Sequence, residues 1–208
     1  MNAALSFQLR HANACRVRQT RDGATFRSRN EDFLVSSSAD FHPTDVLEDA
    51  DGSILVVDSG TWFEHCPTSK IGKCPVKGGI YRIRLQDAPK VRDPRGLAFK
   101  WGALSAEELV VLLEDARFAV RNRAIQELAK LGASAAPLLR EVLHKHASAN
   151  VRLDAVWALT RIDAKQARAA VRDAFADKDH RVRLTGVTSA SLWRDAEALP
   201  WPRWRSTR

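Results

Sequence analysis

Three Val-Arg pairs, Val120-Arg121, Val151-Arg152 and Val182-Arg183, recur at a spacing of 31 residues. Other columns keep the same frame. Asp115, His146 and Asp177 precede the pairs; Ala124, Ala155 and Gly186 follow them. Ile125, Val156 and Val187 come next, and Leu131, Ile162 and Trp193 close each row. A unit of this length holds two helices. The segments "SAEELVVLLED", "SAAPLLREVLHKH" and "AKQARAAVRDAFAD" read as the first helices, with the second helices expected to begin at the Val-Arg pairs. Small residues in the Ala124 column let helices approach closely, and the Leu/Ile/Trp column is expected to fill the seam between units. One helical pair cannot bury its apolar face, whereas stacked neighbours can, with about three units as the working minimum. The sequence therefore predicts an α-helical solenoid of three repeats over residues 104–194. Asp115, Arg121, Arg152, Asp177 and Arg183 are expected as structural positions, an Asp in the turn and an Arg in the following helix bridging successive units.

Upstream, the apolar period changes from helical to two. The change falls at "LQDAPKVRDPRG", where two prolines, a glycine and charges mark a surface excursion; residues 87–103 read as a linker. Before it, Asp22-Gly23 sits between two extended segments as a hairpin turn. In "DVLEDADGSILVVDSG", Val46 and Leu47 and then Ile54 to Val57 flank the acidic tetrapeptide Asp49-Ala50-Asp51-Gly52. The run Ile54–Val57 suggests a strand buried on both faces. "GGIYRIRLQ" alternates, with Tyr81, Ile83 and Leu85 on one face and Arg82 and Arg84 on the other. The tetrapeptide raises the question of a calcium loop. Such a loop needs flanking helices and a Glu at its twelfth position, and here strands flank it and that Glu is missing. Asp49 and Asp51 are expected instead to accept backbone hydrogen bonds in a turn relieved by Gly52. The fold class is α+β: an antiparallel β-meander followed by the helical solenoid.

The formal net charge is +8, which raises the possibility of nucleic acid. The cations are scattered, however: six arginines lie within residues 10–29, and others are spread through the helices. They read as solvated surface, and no nucleic-acid partner is expected. No apolar run approaches the roughly 20 residues of a membrane span, and the N-terminus lacks the apolar core of a signal peptide, so the chain as written reads as cytoplasmic. Cys15, Cys66 and Cys74 are an odd number and lack C-x-x-C spacing, so no metal site is expected; a Cys66–Cys74 disulfide would require an oxidising compartment. No nucleophile elbow or phosphate-cradling loop is present, and no catalytic residues are assigned. His42 and Asp45, opening a strand, are candidate binding positions, the alternative being a turn cap and a backbone contact. Trp62 and Phe63 read as packing residues. The tail 195–208, with Trp201 and Trp204 among prolines and arginines, reads as a cap on the last repeat, as a partner-binding arm or as an out-of-place terminus.

The pattern Asp-(x)4-Val-Arg-(x)2-Ala-(x)3-Leu at Asp115 to Leu128 resembles the HEAT repeat, with departures at His146, Gly186 and Ala190. The likeness covers residues 104–194. In the first half, "FHPTDV", "DADGS", "VVDSG", "CPTS" and "GGIYRIR" resemble the last part of a sugar-dehydrogenase-like β-propeller of the quinoprotein or NHL type, over residues 23–84. That propeller occurs in large exported bacterial proteins, ahead of HEAT repeats and a c-type cytochrome domain. The resemblance implies partial propeller blades over residues 1–86, with His42 and Asp45 near the central channel. It also implies a dehydrogenase ancestry, with pyrroloquinoline quinone and haem c as cofactors of full-length, periplasmic relatives. A propeller needs at least four blades; some 85 residues build about two, and the chain has no C-x-x-C-H motif. No cofactor is expected in this chain, which reads as a fragment. The function expected is a non-catalytic protein-interaction module whose partner binds the HEAT surface. The alternatives are an oxidoreductase fragment completed by missing domains and a basic solenoid for nucleic acid. Oligomeric state is left open by the sequence.

Overall fold

The computed structural model describes residues 4–10, 13–38, 40–60 and 76–198. The chain divides into two compact units, Met1–Lys90 and Val91–Arg208. Cys66, Cys74, Trp62, Phe63, Trp201 and Trp204 lie outside the described residues.

The first unit is antiparallel throughout. Strands β1 (Ala4–Arg10), β2 (Asn13–Asp22) and β3 (Thr25–Val35) form one three-stranded sheet in chain order. Strands β4 (Pro43–Glu48), β5 (Ile54–Gly60) and β6 (Lys77–Ile83) form a second. Asp22 pairs with Thr25 across the first hairpin, and the turns at Gly23 and Gly52 both require positive φ, +61° and +77°, which glycine adopts without steric cost. β5 is the central strand of its sheet, which accounts for its unbroken apolar run. Its burial is less complete than the run suggests: Val56 is fully buried, while Ile54, Leu55 and Val57 are only partly so. The expected apolar face of the last strand also ends early. Leu85 lies beyond β6 and is exposed, and Tyr81 is anchored by an edge-on contact with Phe41 at 5.8 Å between ring centroids.

The second unit is helical. Its helices are α1 (Ala106–Val111), α2 (Phe118–Lys130), α3 (Ala136–Lys145), α4 (Ala149–Thr160), α5 (Lys165–Asp173) and α6 (His180–Trp193). Local sequence sets the ends. Ser105 and Glu108 form a reciprocal capping box at the start of α1, satisfying two orphan N–H groups; a proline sits in the first turn of α3; and α6 stops at Arg194, which takes a left-handed conformation with φ +49°. The second helices start two residues ahead of the Val-Arg pairs, at Phe118, Ala149 and His180. The first expected helix is shorter than its apolar run, because Leu112–Glu114 tightens into a 3-10 turn.

Val120, Val151 and Val182 are all buried, as are Ala124, Ala155 and Gly186. A Cβ on Gly186 would lie 2.9 Å from the Ala174 side chain and 3.1 Å from Phe175, so the smallest residue stands where the approach is closest. The Leu/Ile/Trp column does not fill the seam uniformly. Ile162 is buried and Trp193 half-buried, but Leu131, the C-cap of α2, stands 41% exposed. The segment before α1 belongs to this unit as well. Trp101 is buried, donates its Nε1–H to the Gly96 carbonyl at 2.8 Å and meets Phe99 edge-on. The Asp93 carboxylate accepts the N–H groups of Leu97 and Ala98, while its carbonyl accepts from Arg117 at 2.9 Å. Among the described residues, no helix is long and apolar enough to cross a membrane.

Candidate functional site

The last carbonyls of a helix have no partner within it. In the helical unit, arginines 31 residues apart supply the missing donors. Arg121 Nη1 donates to the carbonyls of Asp115 at 2.6 Å and Ala116 at 3.0 Å. Arg152 Nη1 donates to His146 and Ala147, both at 2.9 Å. Arg183 Nη1 donates to Asp177 at 2.8 Å and Lys178 at 3.0 Å. The same clamp thus recurs with the same offsets.

The turn residue is also repeated in chemistry. Asp115 accepts the N–H of Arg117 and Asp177 that of Asp179, each at 2.8 Å. At the middle turn, His146 Nδ1 accepts the N–H of Ser148 at 3.1 Å. A ring nitrogen replaces a carboxylate oxygen, so the imidazole proton sits on Nε2, which lies 3.1 Å from Glu114 Oε1. That is why a histidine fits a column otherwise occupied by aspartate.

The charges beyond the clamp differ from turn to turn. Arg152 makes a bidentate pair with Asp177, Nε to Oδ2 at 2.8 Å and Nη2 to Oδ1 at 2.9 Å, tying α4 to the turn before α6. The Arg152 side chain is 3% exposed and that of Asp177 is 8%. Hydrogen bonding from Arg152 holds the Asp177 carboxyl below its usual range, against the opposing effect of burial. The position equivalent to Asp177 for Arg121 is His146, which offers no carboxylate. Arg121 Nε instead lies 3.9 Å from Asp154 Oδ2. At that distance the attraction is weak, and burial raises the Asp154 pKa. Asp115 is held low mainly by its hydrogen bond from Arg117. Between the α3–α4 and α5–α6 turns lies an open cleft of about 520 Å³, lined by His144, Lys145, His146, Lys178 and the Arg152–Asp177 pair among others. His144 Nε2 and Arg140 Nε both reach Asp173 Oδ2, at 2.9 and 2.6 Å.

In the strand unit, His42 and Asp45 have different attachments. The His42 N–H donates to Asp58 Oδ1 at 2.8 Å, its Nδ1 lies 3.1 Å from the Asp40 carbonyl, and its own carbonyl accepts from Ser59. Asp58, mostly buried, accepts the Gly60 N–H as well, and so ties the entry to β4 to the end of β5. Asp45 is exposed and accepts the N–H of Val46 at 2.8 Å. The acidic tetrapeptide forms a turn: Gly52 N–H donates to the Asp49 carbonyl, Asp49 Oδ1 accepts from Ala50, and Asp51 Oδ1 accepts from the backbone and hydroxyl of Ser53. Arg82 reaches Asp49 at 2.6 Å and Arg84 reaches Asp51 at 2.8 Å. The Ser53 hydroxyl, and after it Arg84, hold Asp51 far below the usual carboxylate range. Among the described residues no group of three or more His, Cys, Asp and Glu side chains is placed to hold a metal ion.

Sequence reasoning passed over Asp58, Asp93 and the His144–Asp173 contact. Only Asp93 carried a local signal, the Asp-Pro step ahead of Gly96. The other two depend on neighbours 16 and 29 residues away.

No curated protein matches the chain. The family model for HEAT repeats matches residues 136–201, which take in α3 to α6. Residues 136–201 are therefore a HEAT-repeat region.

Proposed function

We propose that this chain is a non-catalytic protein-interaction module, a scaffold of three HEAT repeats joined to part of a β-propeller. The observation that carries the reading is the recurrence of the arginine clamp at Arg121, Arg152 and Arg183, which extends one repeat upstream of the family match. Helix pairs held in this way present rows of exposed side chains on successive helices, a geometry suited to an extended partner. The two three-stranded meanders of the first unit are read as partial propeller blades, in which the buried Asp58 and the Arg82–Asp49 tie serve the sheet rather than a substrate. Pyrroloquinoline quinone and haem c belong, on this reading, to full-length relatives. The test is affinity capture with the full chain, followed by crosslinking and mass-spectrometric mapping. Crosslinks concentrated on α2, α4 and α6 are expected; a chain that captures nothing above a control protein of equal charge overturns the proposal.

A further inference from the structure

The 31-residue frame also arranges the outward side of the second helices. On α4 the row is Asn150, Leu153, Trp157 and Arg161; on α6 it is Arg181, Leu184, Thr188 and Leu192. These rows lie side by side, since Arg181 Nη1 donates to Asn150 Oδ1 at 3.2 Å. Farther along, Thr160 bonds Ser189 at 2.8 Å and the Trp193 Nε1–H reaches the Thr160 carbonyl at 2.8 Å. Leu153 and Trp157 are half-buried against the core, while Leu184 and Leu192 stand 64% and 67% exposed. The equivalent row on α2, Ala119, Asn122, Gln126 and Lys130, carries no large apolar side chain. The apolar strip is thus confined to two adjoining helices. A single exposed leucine needs no explanation, but an aligned strip of four large apolar side chains is a contact surface in waiting.

The margin of the strip carries more cations than carboxylates. Arg161 is exposed and donates to the Trp157 carbonyl at 2.8 Å. Arg181 and Lys130 are exposed, Arg181 paired with Asp179 at 3.1 Å and Lys130 with Glu127 at 2.9 Å. Asp154 lies 3.9 Å from Arg121 Nε. An apolar strip with a basic margin complements an apolar stripe with acidic flanks.

We propose that the α4–α6 face binds an acidic amphipathic helix, which lays its apolar side along Leu153, Trp157, Leu184 and Leu192. The rows run 11 residues, about 16 Å at 1.5 Å per residue, which matches a partner helix of about three turns. Such a helix presents anchors at i, i+3 or i+4, and i+7, with Trp157 as the large central contact. The proposal rests on the scaffold reading above and specifies its partner.

The test uses the full chain and three fluorescein-labelled synthetic peptides: a 14-residue helix with leucines on one side and glutamates on the other, its lysine twin, and a scrambled acidic peptide. Fluorescence anisotropy is expected to show saturable binding of the acidic helix alone. The exposed substitutions Leu184→Glu and Leu192→Glu together are expected to weaken it at least about tenfold, equivalent to roughly 1.4 kcal/mol. Asn122→Glu, on the α2 row, is expected to change it by less than about twofold. An unchanged circular dichroism melt shows that the double variant is folded. Equal binding of the lysine twin or the scrambled peptide overturns the proposal, as does full binding by the double variant or no binding at all. A wild-type dimer by sedimentation that the double variant lacks, with no uptake of the peptide, assigns the face to a second copy. Binding that appears only after removal of residues 199–208 assigns it to the chain's own terminus; either result overturns the proposal. Crosslinked capture that survives the double variant removes this surface and leaves the scaffold reading standing, whereas loss of all capture by wild type removes both.

Discussion

Arg152 is the residue whose removal should cost the helical unit most. Its guanidinium makes two bonds to turn carbonyls and two to Asp177, with almost no solvent exposure. In Arg152→Ala, Asp177 keeps only the Asp179 N–H as a visible partner for a carboxylate that remains largely buried. Breaking a buried pair in this way costs about 3–5 kcal/mol. At roughly 4 °C per kcal/mol for a unit of this size, melting should fall by about 12–20 °C. Arg183→Ala is the internal control. Arg183 makes the same two carbonyl bonds without a carboxylate partner among its hydrogen bonds, so its loss should cost only about 1–2 kcal/mol. Thermal and urea unfolding of the full chain, followed by circular dichroism at 222 nm, reads the helical unit. Replacing both partners, Arg152→Met with Asp177→Leu, should recover most of the loss, because the buried charge goes as well. If Arg152→Ala and Arg183→Ala differ by less than about 0.5 kcal/mol, the buried pair is not what couples α4 to the α6 turn.

His146 occupies the position from which Asp177 serves the next arginine, so His146→Asp should give Arg121 the partner that Arg152 already has. A stability gain of about 1 kcal/mol is expected by urea unfolding, and more when Glu114→Gln removes the neighbouring carboxylate; a loss would show that Arg121 cannot reach. Asp154 has its pKa raised by burial, so its contribution is present below the unfolded pKa and lost as pH rises through the folded value. Asp154→Asn should therefore stabilise the chain at pH 7 and leave it unchanged near pH 3, in paired denaturant titrations. Asp115, Asp177 and Asp179, the last lowered to about 2, shift the other way. Their contribution is present above the unfolded carboxylate pKa and lost as pH falls through the lowered values, so the parent chain should lose helix at acid pH.

The helical half was legible because its information is periodic. Columns of Val, Ala and Arg at a fixed spacing name the buried positions, and the rows on α4 and α6 follow from the same frame. What the frame could not supply was exposure. Val187 occupies the column of the buried Ile125 and Val156 yet is 46% exposed, because no described helix covers that side of α6. The segment from Asp93 to Trp101 carries the composition of a surface excursion, and its role depends on Arg117 and Val120, which a turn signal does not mention. In the strand half, alternation identified the elements and the acidic turn. It did not reveal how far each face is covered, since a run such as Ile54–Val57 reads alike in a central strand that is half-covered or wholly enclosed. His42 and Asp45 illustrate the same limit: the sequence placed them beside each other at a strand entry, and their hydrogen bonds run to separate partners.

The histidine at the middle turn has a thermodynamic consequence. The arginine clamps are local, closing over five or six residues, and so each holds the turn of its own helix pair. Communication between neighbours is another matter: Arg152 grips Asp177 in a buried bidentate pair, whereas Arg121 has Asp154 at 3.9 Å and His146 Nε2 reaches Glu114 at 3.1 Å. In a linear array, stability is a sum of unit terms and nearest-neighbour couplings. A weak coupling sets the point at which one cooperative block becomes two. The weaker coupling at His146 is therefore expected to make the α1–α2 pair the first to loosen on denaturation, ahead of the α4–α6 contact.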